Sequence, residues 1–213
     1  MSRYFPALLF VTPLLGCGLD PLFEGTEELD PYGVAIKGTS YEMVLNEVLV
    51  MYPPALQQLF FRADASHLLM GVPEQGVSTF RTFAAASDNQ GGQDFCATTT
   101  ELALARWNGP GEFVIEGGRF FIPIGGVDVR FDSTNMDSII TEDGDWDPLT
   151  IGARVDTRDL TGVLSKGEDP CGVTEGACVS CDDGFKLCME VDMEAAGFIS
   201  DTYFDPRPDC DQP

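Results

Sequence analysis

The sequence has little positive charge. Its 213 residues carry 12 lysines and arginines against 35 aspartates and glutamates, which gives a formal net charge of −23. A surface of this sign repels phosphate backbones, so we exclude nucleic acid as a partner. The acidity can attract cations or basic partners, or it can simply keep the protein soluble. The acidic residues are scattered along the chain, which favours the second interpretation.

Histidine is nearly absent, and His67 is the single copy. A site with two histidine ligands or a histidine dyad therefore cannot be built within one chain. A Ser-His-Asp triad needs only one histidine, but the sequence has no G-x-S-x-G elbow. Asp156-Thr157-Arg158 resembles the start of the aspartic-protease motif, but Arg158 replaces the motif's glycine and no second copy exists. We expect a strand end there, a structural or exposed His67, and no catalytic residues.

The amino terminus lacks an apolar run of the roughly 20 residues that a membrane-spanning helix needs. A short polar stretch with Arg3 precedes the apolar residues 4–15, which Pro6 and Pro13 interrupt. A basic start followed by a short apolar run is typical of a secretory signal peptide. We therefore expect residues 1–16 to be removed on export.

The end of this segment, Leu14-Leu15-Gly16-Cys17, resembles the lipobox of bacterial lipoproteins. The resemblance implies cleavage before Cys17 and a diacylglycerol on its thiol, with acyl chains such as palmitate that anchor the protein to a membrane. Gly18 stands where an aspartate often retains such proteins at the inner membrane. The implied location is the bacterial cell envelope, at the outer membrane. Residues 113–213 contain Val155-Asp156-Thr157-Arg158 followed by a cluster of cysteines, and this part of the chain also resembles cysteine-rich envelope lipoproteins of unknown activity.

We divide the mature chain into three parts. Residues 17–32 are the lipidated cysteine and an acidic tether, and residues 33–166 are a β-rich domain. Residues 167–213 are a cysteine-rich segment that packs on the same domain. The 23 glycines, 14 prolines and 44% hydrophobic residues are typical of a folded, turn-rich chain.

Strand patterns recur in the β-rich part. Apolar and polar residues alternate in residues 127–132, 151–156 and 187–194, as they do in half-buried strands. In residues 113–122 two apolar runs flank Gly117-Gly118, a pattern typical of a β-hairpin. Several short strands predict a mainly β fold, an antiparallel β-sandwich or barrel-like domain with a disulfide-rich carboxyl-terminal segment.

Six cysteines remain when Cys17 is set apart. An even number in an exported protein predicts up to three disulfides, whose pairing the sequence leaves open. The competing hypothesis is a zinc site, because Cys178 and Cys181 form a C-x-x-C pair with a further cysteine on each side. The second C-x-x-C of a zinc ribbon is missing, so disulfides are favoured. The six residues are Cys96, Cys171, Cys178, Cys181, Cys188 and Cys210.

The best candidate for a ligand site is the acidic segment 142–147, in which Asp143, Asp145 and Asp147 alternate. This spacing begins calcium loops, because hard cations bind several clustered oxygens. Pro148 replaces the glycine of an EF-hand turn, and the twelfth position holds no glutamate. A solvated acidic turn is therefore the favoured interpretation, calcium is the alternative, and we expect no other cofactor.

Two classes of function remain. The preferred one is a lipid-anchored binding or structural protein of the cell envelope, without catalytic activity, whose partner is an envelope protein or a glycan. The alternatives are a carboxylate-based envelope hydrolase and a calcium-dependent binding or adhesion module. A hydrolase needs a concave pocket with converging carboxylates, whereas a binding module needs an apolar or loop-built patch.

Overall fold

The structure is a computed structural model that describes residues 34–88, 90–161, 163, 171, 178–208 and 210. The predicted signal peptide, Cys17 and the tether lie outside the described residues. Within them, no helix combines the length and the apolar character that a membrane span requires. The described residues include the short helices α1 (Gln57–Phe60) and α2 (Thr157–Leu160), and 3-10 turns at Leu45–Glu47 and Pro54–Leu56.

Twelve strands form one sheet. They are β1 (Ser40–Val44), β2 (Leu49–Tyr52), β3 (His67–Gln75), β4 (Thr79–Ala86), β5 (Thr100–Glu101), β6 (Ala105–Gly109), β7 (Glu112–Glu116), β8 (Arg119–Ile124), β9 (Val127–Ile140), β10 (Trp146–Asp156), β11 (Cys178–Val179) and β12 (Cys188–Ser200). Alternation predicts strands at 127–132, 151–156 and 187–194, and these segments coincide with parts of β9, β10 and, from Cys188 onwards, β12.

Strand pairing closes this sheet into a ring. The order is β1, β3, β4, β6, β7, β9, β10 and β12, and β12 pairs again with β1. All of these pairings are antiparallel. The mainly β, antiparallel fold is thus confirmed, and the closed ring corresponds to the barrel-like alternative. Each of the eight ring strands is therefore paired along part or all of both edges.

The strand β12 completes the ring because it pairs along both edges. One edge lies beside β10, from Cys188 to Gly197. The other edge contacts β11, β2 and β1 in turn. This strand lies in the cysteine-rich segment 167–213, so that segment supplies part of the ring itself.

The turn predicted at Gly117-Gly118 is not a hairpin turn. β7 and β8 run in the same direction on either side of it, and both pair with β9. The chain reverses instead at Gly125-Gly126, where φ is 59° and 78° and the flanking residues Ile124 and Val127 are paired. Two residues with positive φ match the twist of a two-residue hairpin. The hairpin prediction was therefore wrong in its turn, although both strands were correct.

Gly117-Gly118 has a different role in this long hairpin. The two glycines interrupt the strand opposite Ser133 and Thr134 without changing the register. The Gly117 amide donates to the Thr134 carbonyl at 2.7 Å, and the Thr134 amide donates to the Gly118 carbonyl at 3.2 Å. Both glycines have positive φ, which glycine adopts at no steric cost.

Large side chains pack the interior of the ring. Trp146 is fully buried, stacks on Tyr41 with ring centroids 4.1 Å apart, and contacts the edge of Phe113. Phe80 continues the cluster beside Phe113, with centroids 5.2 Å apart. Burial raises the pKa of Tyr41 to about 12, so its phenol stays neutral at physiological pH. Because side chains fill the centre, the grooves described below lie on the outer face and at the strand ends.

All six predicted cysteines form disulfides, which confirms the predicted framework. The pairs are Cys96–Cys210, Cys171–Cys178 and Cys181–Cys188, with Cα atoms 4.5, 5.4 and 5.1 Å apart. These separations lie in the usual range for disulfides. The four cysteines of the zinc hypothesis are therefore bonded in pairs, and none of them is a free thiolate.

Candidate binding groove beneath the carboxyl-terminal strap

After β12 the chain crosses the outside of the ring as residues 201–208, here called the strap. The amide of Gln93, a buried residue, binds the strap through both of its polar atoms. Its Nε2 donates to the Asp205 carbonyl at 2.9 Å, and its Oε1 accepts from the Asp205 amide at 2.7 Å. This pair of bonds imitates the pairing of two strands.

Two further contacts hold the strap to the same loop. The Thr202 hydroxyl donates to the Gly91 carbonyl at 3.2 Å. The disulfide Cys96–Cys210 then joins residues 114 positions apart in the sequence. Disulfides typically stabilise by about 2–4 kcal/mol because they restrict the unfolded chain. The strap is therefore fixed at several points along its length.

The strap packs closely against the sheet at Gly71. It lies in β3 between Met70 and Val72, whose side chains are buried in the core, so the α-carbon of Gly71 faces outwards. The Phe204 ring lies directly on this α-carbon, and a Cβ at position 71 would overlap the ring. The missing side chain allows the strap to approach the sheet closely.

A groove of about 360 Å³ opens between the strap and the ends of β1 and β3. We call it the strap groove. Four hydroxyl side chains line it, together with one carboxylate, Asp201, and two aromatic rings, Tyr203 and Phe204. Tyr203 is 76% exposed, the largest value among the described large hydrophobic side chains that face solvent. The hydroxyls belong to Thr39, Ser40, Ser200 and Thr202.

The composition of the strap groove suits binding. The exposed Tyr203 ring supplies a flat apolar surface, and hydroxyl groups both donate and accept hydrogen bonds. A glycosidase that uses carboxylates needs two of them about 5–9.5 Å apart. Among the described residues that line this groove, Asp201 is the single acid. The groove therefore lacks a lining pair for that chemistry.

The predicted calcium ligands are not gathered into one cluster. Asp145 Oδ1 accepts a hydrogen bond from the Ile199 amide at 2.8 Å, which ties the turn before β10 to β12. Asp147 lines a different groove, and Asp143 is exposed. Among the described residues, one group of three potential ligands has all its ligand atoms within 4.8 Å, and it does not include these aspartates. The calcium site stays a prediction from sequence.

That group consists of Asp156, Cys181 and Cys188. The two sulfur atoms are bonded to each other, so they are not thiolate ligands. Asp156 ends β10 and caps α2, accepting from the Arg158 amide at 2.9 Å and from its guanidinium. The Asp156-Thr157-Arg158 motif is thus a strand end, as expected.

Arg158 joins this strand end to the loop that Cys181–Cys188 closes. Its guanidinium contacts Asp156 at 2.5 Å and Asp183 at 2.7 Å. The hydrogen bonds from Arg158 lower the pKa of both carboxyls. Burial raises the pKa of the nearby Asp159, but Asp159 does not line the strap groove.

Comparison with models of protein families, with curated proteins and with solved structures finds no match for this chain. The site must therefore be interpreted from its own geometry. Sequence reasoning missed the strap groove, because its walls come from three separate parts of the chain. The composition of residues 201–208 carries one signal, the adjacent aromatic residues Tyr203 and Phe204 among polar neighbours.

Replacing Gly71 should release the strap. In Gly71→Ala the new methyl group overlaps the Phe204 ring, and overpacking of this kind costs about 1–3 kcal/mol. We expect chymotrypsin to cleave after Tyr203 and Phe204 about tenfold faster or more, measured by mass spectrometry after reduction. Gly152→Ala is the control, because a Cβ there makes only ordinary contact. Equal cleavage rates in the two variants would show that Gly71 does not seat the strap.

The lowered pKa of Asp156 predicts a dependence of stability on acid. The pKa of an aspartate in the unfolded chain is about 3.9, which is higher than that of Asp156 in the folded chain. As pH falls, the unfolded chain therefore binds the proton first. The stabilisation is complete above the pKa of the unfolded chain and is lost as pH falls through the folded pKa. Asp156→Asn should flatten the decline in free energy of unfolding between about pH 5 and pH 2, measured with urea. A slope identical to wild type, or the same change in the exposed Asp143→Asn, would contradict this.

Proposed function

We propose that the protein is a lipid-anchored, non-catalytic binding module of the bacterial cell envelope, and that its strap groove binds a neutral glycan. The observation that carries the proposal is the exposed Tyr203 ring beside four hydroxyl side chains in a groove held by the fixed strap. A groove of this size fits a small ligand. The strap pre-organises the groove, which lowers the entropy cost of binding.

A sugar offers what these groups recognise. One face of a pyranose ring presents C–H groups that stack on an aromatic ring, and its hydroxyls exchange hydrogen bonds with Ser, Thr and Asp side chains. The net charge of −23 repels phosphorylated and other anionic glycans. The best ligand is therefore uncharged and rich in hydroxyl groups.

The envelope location is supported by two separate features. The lipobox resemblance at Cys17 implies a lipid anchor, and disulfides are typical of oxidising compartments such as the periplasm and the cell surface.

The alternatives find less support in the geometry. The hydrolase requires a second acid beside Asp201, and no other carboxylate is among the groove's described lining residues. The calcium-dependent module requires Asp143, Asp145 and Asp147 to converge, whereas Asp145 Oδ1 accepts from the Ile199 amide. Binding without catalysis is the function that fits the groove.

The anchor is tested by the intact mass of the protein extracted from native envelopes in mild detergent. We expect a chain that starts at Cys17 and carries a diacylglycerol with its acyl chains. Reduction should add six hydrogens, because three disulfides open. Cys17→Ser should be recovered without lipid. An unlipidated or full-length wild-type chain would refute the envelope anchor.

Glycan binding is tested with an array of neutral and anionic oligosaccharides, followed by calorimetry on the strongest ligand. We expect binding to neutral oligosaccharides that falls at least tenfold in Tyr203→Ala, because the stacking surface is lost. Tyr52→Ala is the matched control, since Tyr52 is an exposed tyrosine that does not line the groove. Absence of neutral ligands, or an equal loss in both variants, would refute the proposal.

A further inference from the structure

The edge of β12 opposite β10 contains a gap in strand pairing. Pairing with β2 ends where Glu194 lies opposite Leu49, and pairing with β1 begins where Phe198 lies opposite Glu42. Between these points residues 195–197 have no strand partner on this side in the described chain. The 3-10 turn after β1 carries the chain past them. The sheet is therefore interrupted over three residues.

A groove of about 240 Å³ lies over this gap. We call it the gap groove. Its apolar lining includes Leu49 and Phe198, whose side chains are 54% and 40% exposed. Three carboxylates also line it, those of Glu47, Asp147 and Glu194. No basic side chain is among its described lining residues, so the carboxylates meet no cation within the groove.

We infer that the gap groove docks an extended, basic segment of a partner protein, with lysine or arginine beside an apolar side chain. Lysine and arginine have long apolar stems and charged ends, which match an apolar floor with an acidic rim. An extended segment fits the groove over residues 195–197, where Ala195 and Ala196 present only small side chains. The three carboxylates attract a cationic segment and repel an acidic one.

Two other occupants fit less well. An anionic membrane surface is repelled by the carboxylates and by the net charge of −23. A second copy of this chain carries the same net charge and would oppose like charges across the contact. A basic partner is the occupant whose charge complements the groove.

The gap groove is separate from the strap groove. Both lie on the outer side of β12, but Phe198 lines the first and Ser200 lines the second. Glu42 lies between the two grooves, and its Oε2 accepts a hydrogen bond from the Ser200 hydroxyl at 3.2 Å. Substitutions at Phe198 or Glu194 therefore leave the lining of the strap groove unchanged. The two binding activities can be lost independently.

The test measures binding of labelled peptides to the full protein, extracted in mild detergent, by fluorescence anisotropy. The probe is a six-residue peptide with two valines between two pairs of lysines, so that an extended chain presents both residue types on one face. The control peptide has glycines in place of the two valines. We expect at least tenfold tighter binding of the lysine-valine peptide. Phe198→Ser should remove that preference, whereas Phe185→Ser should not, although Phe185 is 62% exposed. Leu49→Ser provides the same test from the other side of the groove.

Charge is tested with matched substitutions. Glu194→Gln should weaken binding of the lysine-valine peptide at least fivefold, and Glu112→Gln, an exposed acid outside the groove, less than twofold. Equal effects of the two variants, or equal affinity for the two peptides, would show non-specific attraction to an acidic protein and overturn the inference. A dimer in sedimentation that Phe198→Ser abolishes would also overturn it, in favour of a second copy.

Discussion

Closure of the ring depends on backbone hydrogen bonding along both edges of β12. This strand comes late in the chain and pairs with β10 on one side and with β1 and β2 on the other. The sheet becomes a closed ring only when β12 has paired on both sides. The side chains of Met189, Val191 and Met193 then lie in the core. Both candidate grooves border the same strand. One forms where the chain leaves β12 as the strap, and the other forms where pairing along its edge is interrupted.

Charge is distributed unevenly over this scaffold. Four arginines line a cavity of about 220 Å³ on the outside of β8, β9 and β10, beside the Cys181–Cys188 disulfide. They form ion pairs with Asp132, Asp156, Asp182 and Asp183. The exposed pair of Arg154 with Asp182 contributes little to stability, whereas Asp156 is buried. These four arginines are a third of the 12 lysines and arginines in the chain. Neither the strap groove nor the gap groove has a basic residue among its described lining residues. The four are Arg119, Arg130, Arg154 and Arg158.

Much of the fold could be predicted because strands leave a local signature. Alternating residues such as Val129 and Phe131, or Val191 and Met193, face one side of a strand whatever its neighbours are. The hairpin was harder, because Gly117-Gly118 and Gly125-Gly126 both lie between apolar runs. Either pair can adopt positive φ, and the pairing with β9 decides which one reverses the chain. The strap groove could not be predicted from the sequence, because Gly71, Gln93 and Tyr203 are distant along the chain and no local pattern relates them.

The sequence by itself determined the charge, the β-rich composition, the strand periodicity and an even set of cysteines available for disulfides. It also contains the lipobox resemblance on which the proposal of an envelope location depends. Tertiary structure decided the closure of the sheet, the cysteine pairing, the seat of Phe204 on Gly71 and the two grooves. The physical reason is the separation along the sequence over which each effect acts. Periodicity and turn preference act between residues a few positions apart, whereas a groove depends on the packing of segments that only the folded chain brings together.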